Sequence, residues 1–467
     1  MTKLKMKPKE TKCKKAVIYI IVSLCTLTVM YLGISAYFMN RFYFGSTINC
    51  INVSGKTVKE VDEQLSSKVK TYSLELKERG DQKEQINADD IVLKYNSNGQ
   101  VQEIKGSQNP FKWIAAAFYK KDSKMENTIS YDENLLKEQI DKLSCLNNNN
   151  IIAPENASIK YTDTGYVIAD EINGNKINKD ILYDNVVKAI IEGETSVDLD
   201  AIKCYENPKY TSTSQEIIEA KDTLNKYISS KITYAFGSRT EILDGSTINN
   251  WLKVDDNLGI TFDEKKVKSY LSTLSKTYDT VGKTREFVAS LGTTVKISGG
   301  DYGWMINSTK EVQELIKVIK EGQVTTKEPI YMQTASARDV NDLGKTYVEV
   351  DMTKQHLWFY KNGSLVVDGD VVTGNVSDKN ATPTGVYKLK YKQKNATLRG
   401  DNYNTPVSFW MPFNGDIGIH DATWRDTFGG NIYMTNGSHG CVNAPYTVAK
   451  TIFSNIDQDT PVICYFE

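Results

Sequence analysis

The sequence predicts a multidomain α+β protein: an N-terminal transmembrane helix, two related α+β segments, and a mostly-β C-terminal domain built as a β-sandwich. Three observations carry that prediction. Ala16 to Asn40 contains no charged residue. Short motifs recur further on at an offset of about 130 residues, the mark of a tandem duplication. From Tyr347 onward apolar residues alternate in short runs punctuated by Gly, Pro and Asn.

Charge locates the first element. Lys3, Lys5, Lys7, Lys9, Lys12, Lys14 and Lys15 crowd the N-terminus against Glu10 alone, and Arg41 closes the apolar run. About 20 apolar residues span a bilayer as a helix, and lysines are retained on the cytoplasmic side. Residues 1–15 therefore read as a cytoplasmic basic tail and 16–40 as a signal anchor in the cell membrane, with all that follows on the extracellular side. A cleaved signal peptide has a shorter apolar core, about 7–15 residues, so the length favours the uncleaved anchor. The net charge of −1 and 25% charged residues offer no basic excess for a nucleic acid. Beyond the membrane lie Cys50, Cys145, Cys204, Cys441 and Cys464. That odd number matches no small disulfide framework and leaves room for one reactive thiol.

The duplication comes next. Tyr131-Asp132-Glu133 and Phe262-Asp263-Glu264 open corresponding segments, Gly174 to Asn178 matches Gly303 to Asn307, and Glu192-Gly193 matches Glu321-Gly322. The copies fall at 46–210 and 211–325. Val186, Val187 and Ile190 recur at helical spacing, as do Val312, Leu315, Ile316 and Ile319, and mark core-facing stripes. The first copy carries additional material from Pro110 to Lys124, including Trp113, Phe118 and Tyr119, and a polar loop at Asn147 to Asn150. Periodicity lapses over 326–344, which reads as a linker.

The last domain spans 345–467. Tyr347 to Asp351 sets Val348 and Val350 against Glu349 and Asp351, the pattern of a half-buried strand. His356 to Tyr360 alternates again, and Lys361-Asn362-Gly363-Ser364 supplies an Asn-Gly hairpin turn into a strand from Leu365 to Thr373. Thr382-Pro383-Thr384-Gly385 interrupts the chain before Val386 to Leu389. Ala444 to Ile456 reads as a helix and Pro461 to Phe466 as the closing strand.

The chemistry concentrates in Ser438-His439-Gly440-Cys441-Val442-Asn443 and, upstream, Ile419-His420-Asp421. The chain has only three histidines, and two fall here. A free thiol ionises near pH 8.5 and is a poor nucleophile at neutrality unless a base takes its proton. His420 and His439 are the nearby bases, whereas His356 lies on another strand. Gly440 lets backbone approach closely beside Cys441. Trp410, Trp424, Arg425 and Phe428 lie near His420, and Arg425 is suited to hold a carboxylate bidentately. A core role for the aromatics and a surface role for Arg425 stand equally open. A metal hydrolase built on His420, His439, Cys441 and an aspartate lacks further ligand motifs, because zinc takes three or more converging ligands. No metal and no cofactor is expected.

On these residues, 345–467 resembles the L,D-transpeptidase family, the YkuD-type catalytic domain. Its signature is a His, a long gap, then Ser/Thr-His-Gly-Cys-hydrophobic-Asn. His420 and Ser438 to Asn443 match each element. The Gln355-to-Gly363 hairpin, Thr373-Gly374 and Thr382 to Gly385 match as well. The twin copies are similar to the peptidoglycan-binding repeats that often precede this domain. The resemblance implies that Cys441 attacks the third residue of a peptidoglycan tetrapeptide stem, expels D-alanine and forms a thioester. An acceptor amine then resolves it as a 3→3 cross-link. It implies His420 as base, oriented by the backbone carbonyl of the next residue. That residue is Asp421, where many relatives carry Ser or Gly, and its carboxylate is expected to raise the His420 pKa. His439 and Ser438 shape the pocket, N–H groups around Gly440 and Cys441 stabilise the oxyanion, and Asn443 is a structural hydrogen-bonder bordering the substrate. Stem peptides are the partners, and carbapenem-type β-lactams the expected inhibitors. Two other outcomes stay open at this stage: an L,D-carboxypeptidase in which water resolves the thioester, and a membrane-tethered wall-binding module without catalysis.

Overall fold

The computed structural model describes residues 10–116, 118, 122–147, 149, 151–338, 341–400 and 403–467. The expected basic tail up to Lys9, together with Tyr119, Asn148 and Asn150, lies outside the described residues. The chain forms two compact units, residues 1–158 with 169–212, and residues 159–168 with 213–467.

In the first unit a helix covers Glu10–Tyr37, and its Lys14–Tyr37 portion is long and apolar enough to cross a membrane. Beyond it, an antiparallel hairpin of Ser73–Lys77 and Lys83–Asn87 takes Ser196–Asp198 as a parallel third strand. Helices Glu133–Asp141 and Lys179–Glu192 pack Leu136, Ile140, Leu182 and Val186 onto Leu74, Leu76 and Ile86. The second unit repeats this plan. Lys231–Phe236 and Arg239–Leu243 form the hairpin, and Val324–Lys327 adds in parallel. Helices Glu264–Tyr278 and Ser308–Glu321 supply Val267, Leu271, Val312 and Leu315 to its core.

The recurring motifs turn out to be helix caps. The side chains of Asp132 and Asp263 accept the first-turn N–H groups of Asn134 and Lys265. Asn178 and Asn307 do the same for Asp180 and Lys310. Gly193 and Gly322 end their helices at φ 69° and 70°, where a side chain is strained. Each N-cap is worth about 1 kcal/mol.

Residues 159–168, in the first copy by sequence, pack with the second unit. There the Asn225 carboxamide accepts from Tyr166 N–H and donates to Tyr166 C=O, at 2.8 and 3.0 Å. Within the expected linker the described residues include ordered structure: the strand Val324–Lys327 reaches into it, Tyr331–Gln333 pairs with Met305–Ile306, and Asp342 is buried in a salt bridge with Arg285 at 2.7 Å. Glu349 and Asp351 do not face water. Glu349 is fully buried and accepts from Ser290 N–H, Ser290 Oγ and Tyr465 Oη at 2.6–2.9 Å. Asp351 accepts from the N–H groups of Thr353 and Lys354, and burial raises its pKa.

The C-terminal domain explains that burial. Its strands are β1 (Tyr347–Asp351), β2 (His356–Lys361), β3 (Ser364–Asp370), β4 (Gly385–Lys388), β5 (Gln393–Gly400), β6 (Tyr403–Asn414), β7 (Ile417–Asp421), β8 (Val442–Ala444) and β9 (Pro461–Tyr465). They form two sheets, β3-β2-β1-β9-β4 and β5-β6-β7-β8. Val348, Val350, Phe359, Met411, Phe413, Ile419 and Val442 fill one core with Ala449 and Ile452 of the helix Tyr446–Asn455. That helix starts later than expected because Val442 to Ala444 is strand and Pro445 occupies the N-cap. The Asn362-Gly363 turn has φ of 50° and 81°, as a two-residue hairpin requires.

The first sheet is covered on its other face as well. Phe287, Val295 and Ile297, from the antiparallel pair Arg285–Val288 and Thr294–Ile297, pack on Ile463 and Tyr465. The edge strand β4 is closed by residues 299–302: Val386 N–H donates to Gly299 C=O and Tyr302 N–H to Val386 C=O, both 3.1 Å. Gly300 makes this approach possible, since a Cβ there would lie 1.9 Å from Val386 O. Gly300→Val is therefore expected to destabilise the second unit by about 1–3 kcal/mol, the range for overpacked sites. A urea titration followed by tryptophan fluorescence checks this, and an unchanged midpoint contradicts the packing described.

Candidate active site

The site is laid out by strand alternation. β7 and β8 pair in parallel, with Ile419 opposite Val442, His420 opposite Asn443 and Asp421 opposite Ala444. Ile419, Val442 and Ala444 point into the core. Side chains alternate along a strand, so His420, Cys441 and Asn443 share the opposite face. There they line a cleft of about 190 Å³ together with Trp424, Arg425 and Tyr403.

His420 is almost fully buried, and its Nδ1 lies 2.9 Å from the carbonyl oxygen of Asp421. A carbonyl only accepts, so Nδ1 carries the proton and Nε2 the lone pair. The Asp421 carboxylate turns away and accepts from Phe409 N–H at 2.8 Å. Burial pushes the His420 pKa down, and Arg425 acts in the same direction. The Asp421 carbonyl bond and carboxylate push it up and are outweighed. The Asp421 carboxylate does raise it, as expected, but the net shift is downward because desolvation of the cation exceeds the attraction. Burial also raises the Cys441 thiol to about 11; a hydrogen bond from Gly418 N–H offsets part of this, and Asp416 adds to the rise. The resting pair is a neutral thiol and a neutral imidazole.

The turn around Cys441 is held from several sides. Ser438 Oγ donates to Cys441 C=O at 2.5 Å and accepts from Gly440 N–H at 3.1 Å. The Gly440 N–H, expected at an oxyanion site, is therefore already engaged. Gly440 sits at φ 117°, and Gly437 packs so tightly that a Cβ would lie 2.5 Å from Asn375 backbone. Thr382 Oγ1 accepts from Gly374 N–H at 3.0 Å and donates to Gly440 C=O at 2.7 Å.

Of the other predicted residues, His439 is exposed and stacks on Tyr403 with ring centroids 4.6 Å apart. Trp424 is about half exposed, with its ring 5.9 Å from that of His420. Trp410 does not line the cleft. It is buried with Ala396 and Val407, opposite His420 across β6 and β7, and forms a wall behind the imidazole. Arg425 donates from Nη1 to Asn436 C=O at 2.9 Å, which leaves less of the guanidinium for a carboxylate than the bidentate expectation assumed. Its Nε and the Oδ1 of Asn443 are buried without protein partners. His356 lies on β2 between Asp368 and Asp370, at 3.0 and 2.6 Å. Sequence reasoning did not find Tyr403, Thr405 or Leu398. They reach the cleft from the long β5–β6 hairpin, whose only signal is the unusual length of β6. Among the described residues, the group whose ligand atoms converge within 4.8 Å as a metal requires is Glu78, Glu84 and Cys145, in the first unit.

An imidazole with a fixed tautomer, a thiol on the same face and a preshaped glycine turn define a site suited to acyl transfer. Residues 345–464 match the L,D-transpeptidase catalytic domain, and residues 84–198 and 210–327 match a peptidoglycan binding domain model. The chain belongs to the L,D-transpeptidase family. It is 33% identical to a crystal structure of Enterococcus faecium L,D-transpeptidase bearing a cysteine-to-serine mutation, over 53% of this chain and 100% of that one, with a TM-score of 0.46. It is 34% identical to the Ldtfm–avibactam carbamoyl enzyme, over 53% and 98%, with a TM-score of 0.46. It is 40% identical to the E. faecium catalytic domain acylated by ertapenem, over 26% and 98%, with a TM-score of 0.25. No curated protein matches.

The thiol's raised pKa sets a testable profile. Alkylation of Cys441 by iodoacetamide, followed at its own peptide by mass spectrometry, should accelerate about tenfold per pH unit between pH 7 and 9. A rate flat over that range would reveal a preformed thiolate–imidazolium pair instead.

Proposed function

We propose that the protein is a cysteine-dependent L,D-transpeptidase that forms 3→3 cross-links from tetrapeptide donor stems through a thioester on Cys441. The observation that carries the reading is the Nδ1–H bond from His420 to Asp421 C=O, which leaves Nε2 basic on the face shared with Cys441.

In this reading the thiol proton passes to Nε2 as Sγ attacks the carbonyl of the third stem residue. The tetrahedral oxyanion collapses, the C–N bond to D-alanine breaks, and His420 returns the proton to the departing amine. The amine of a second stem then attacks the thioester, losing its proton to His420, and Sγ leaves and takes that proton back from Nε2, restoring the neutral pair. Starting from a neutral pair suits the site, because charge then develops only as the reaction proceeds. With the Gly440 N–H taken by Ser438, the N–H groups of Cys441 and His439 are the oxyanion donors. Arg425 Nε and Asn443 Oδ1 offer one donor and one acceptor to a peptide group of the stem.

The helix Lys14–Tyr37 serves as the membrane anchor, with the lysines cytoplasmic and the second unit on the wall side. The two domains matching the peptidoglycan-binding model bring Cys441 to its polymer. The ertapenem adduct of the E. faecium domain supports acylation of Cys441 by carbapenems.

The full chain in detergent, incubated with disaccharide-tetrapeptide, should yield a dimer lacking one D-alanine, and Cys441→Ala none, by mass spectrometry. His420→Ala should lower the rate about 10²–10⁴-fold, as loss of a general base does. Cys441-dependent tripeptide without dimer would move the reading to an L,D-carboxypeptidase. Absence of product from both proteins would favour a wall-binding module.

A further inference from the structure

The segment Thr382-Pro383-Thr384-Gly385 has no part in the chemistry above, yet Thr382 is 2% exposed and lies against the catalytic turn. Its hydroxyl makes two hydrogen bonds with fixed roles. Oγ1 accepts the Gly374 N–H at 3.0 Å, and so its own proton is directed to Gly440 C=O at 2.7 Å. Gly374 is itself pinned to the turn, through its bridge with Ser438 and through Ser438 N–H donating to Thr373 C=O at 3.0 Å.

The Gly440 carbonyl belongs to the same peptide plane as the Cys441 N–H. The described chain has no cis peptide bonds, and in a trans peptide C=O and N–H point in opposite directions. Anchoring the carbonyl on Thr382 therefore aims the Cys441 N–H away from Thr382. A glycine at φ 117° is otherwise free to rotate this plane, because it has no Cβ to hold it. Ser438 fixes the planes on either side, taking the Gly440 N–H and donating to the Cys441 C=O. The plane between them depends on Thr382.

We propose that Thr382 is a positioning residue for the oxyanion: its hydroxyl, by holding Gly440 C=O, orients the Cys441 N–H toward the oxygen that becomes negative when Sγ attacks. The inference rests on the reading of Cys441 as nucleophile. It separates two reactions of one thiol. Acylation by a carbapenem forms the Sγ–C bond at a carbonyl, passes through an oxyanion, and breaks the ring C–N bond as the nitrogen takes the proton that left the thiol. Alkylation by iodoacetamide displaces iodide at a methylene carbon and forms no oxyanion.

The test uses the full chain in detergent. Thr382→Val keeps the shape without the hydroxyl, Thr382→Ala does so with less bulk should Val fail to fold, and Thr382→Ser retains the hydroxyl. Acylation by ertapenem is timed by intact mass, alkylation by loss of the free Cys441 peptide. Val and Ala should acylate about 10–10²-fold more slowly, below or within the effect of deleting an oxyanion donor outright. Their alkylation should stay within twofold of the parent, kcat should fall with KM little changed, and Ser should restore acylation. Acylation of Val or Ala within threefold of the parent overturns the inference, as does an equal fall in alkylation, which marks a general loosening of the turn. If Cys441→Ala also gains the ertapenem mass, the nucleophile reading itself fails, whatever Thr382 does.

Discussion

The parallel pairing of β7 with β8 is the constraint on which the site depends. One register sets Ile419 and Val442 into the core and turns His420, Cys441 and Asn443 outward together. A slip of one residue would exchange the faces and bury the thiol among valines. The register is held by the core itself, because Ile419, Val442 and Ala444 are each fully buried. Catalytic geometry and hydrophobic packing are thus the same feature seen from two sides of a sheet.

The cost of this arrangement appears in the electrostatics. Burying an imidazole disfavours its cation, and burying a thiol disfavours its anion. Both shifts are present, in opposite directions along the pH scale, and both keep the pair neutral at rest. The Asp421 carbonyl then has a larger part than its carboxylate, since it selects the tautomer while the carboxylate is spent on Phe409 N–H. Support extends beyond the C-terminal domain. Residues 285–302 cover the outer face and the edge of the first sheet, and β4 on that edge follows directly from the Thr382 segment that touches the catalytic turn.

Much of this was legible in the sequence, for local reasons. The Asn362-Gly363 turn satisfies a backbone requirement that few residue types meet, and the recurring Asp, Asn and Gly motifs were visible as a repeat though not as the caps they form. His420 and the Ser438 to Asn443 run were visible because the chemistry tolerates little substitution. What stayed hidden depended on distant packing. Alternation in Tyr347 to Asp351 reads one sheet's period and cannot register that a second domain covers its outer face, so Glu349 was expected in water. Strands of three or four residues, such as Tyr331–Gln333, are too short for any period, and their segment read as linker. Tyr403 meets His439 from a strand distant in sequence, a contact no local pattern reveals. The capture of Gly440 N–H by Ser438 is a matter of one rotamer.

The neutral, tautomer-fixed imidazole is the centre of this account, and nitrogen NMR of the histidine side chains tests it most directly. Three histidines in the chain make assignment by single substitution practical. At pH 7 the His420 ring should show a protonated Nδ1 and an unprotonated Nε2, with its transition to the doubly protonated form below pH 6.5, the ordinary histidine value. Two protonated nitrogens at pH 7, reverting to one when Cys441 is replaced by alanine, would contradict it and establish a thiolate–imidazolium pair in the resting protein.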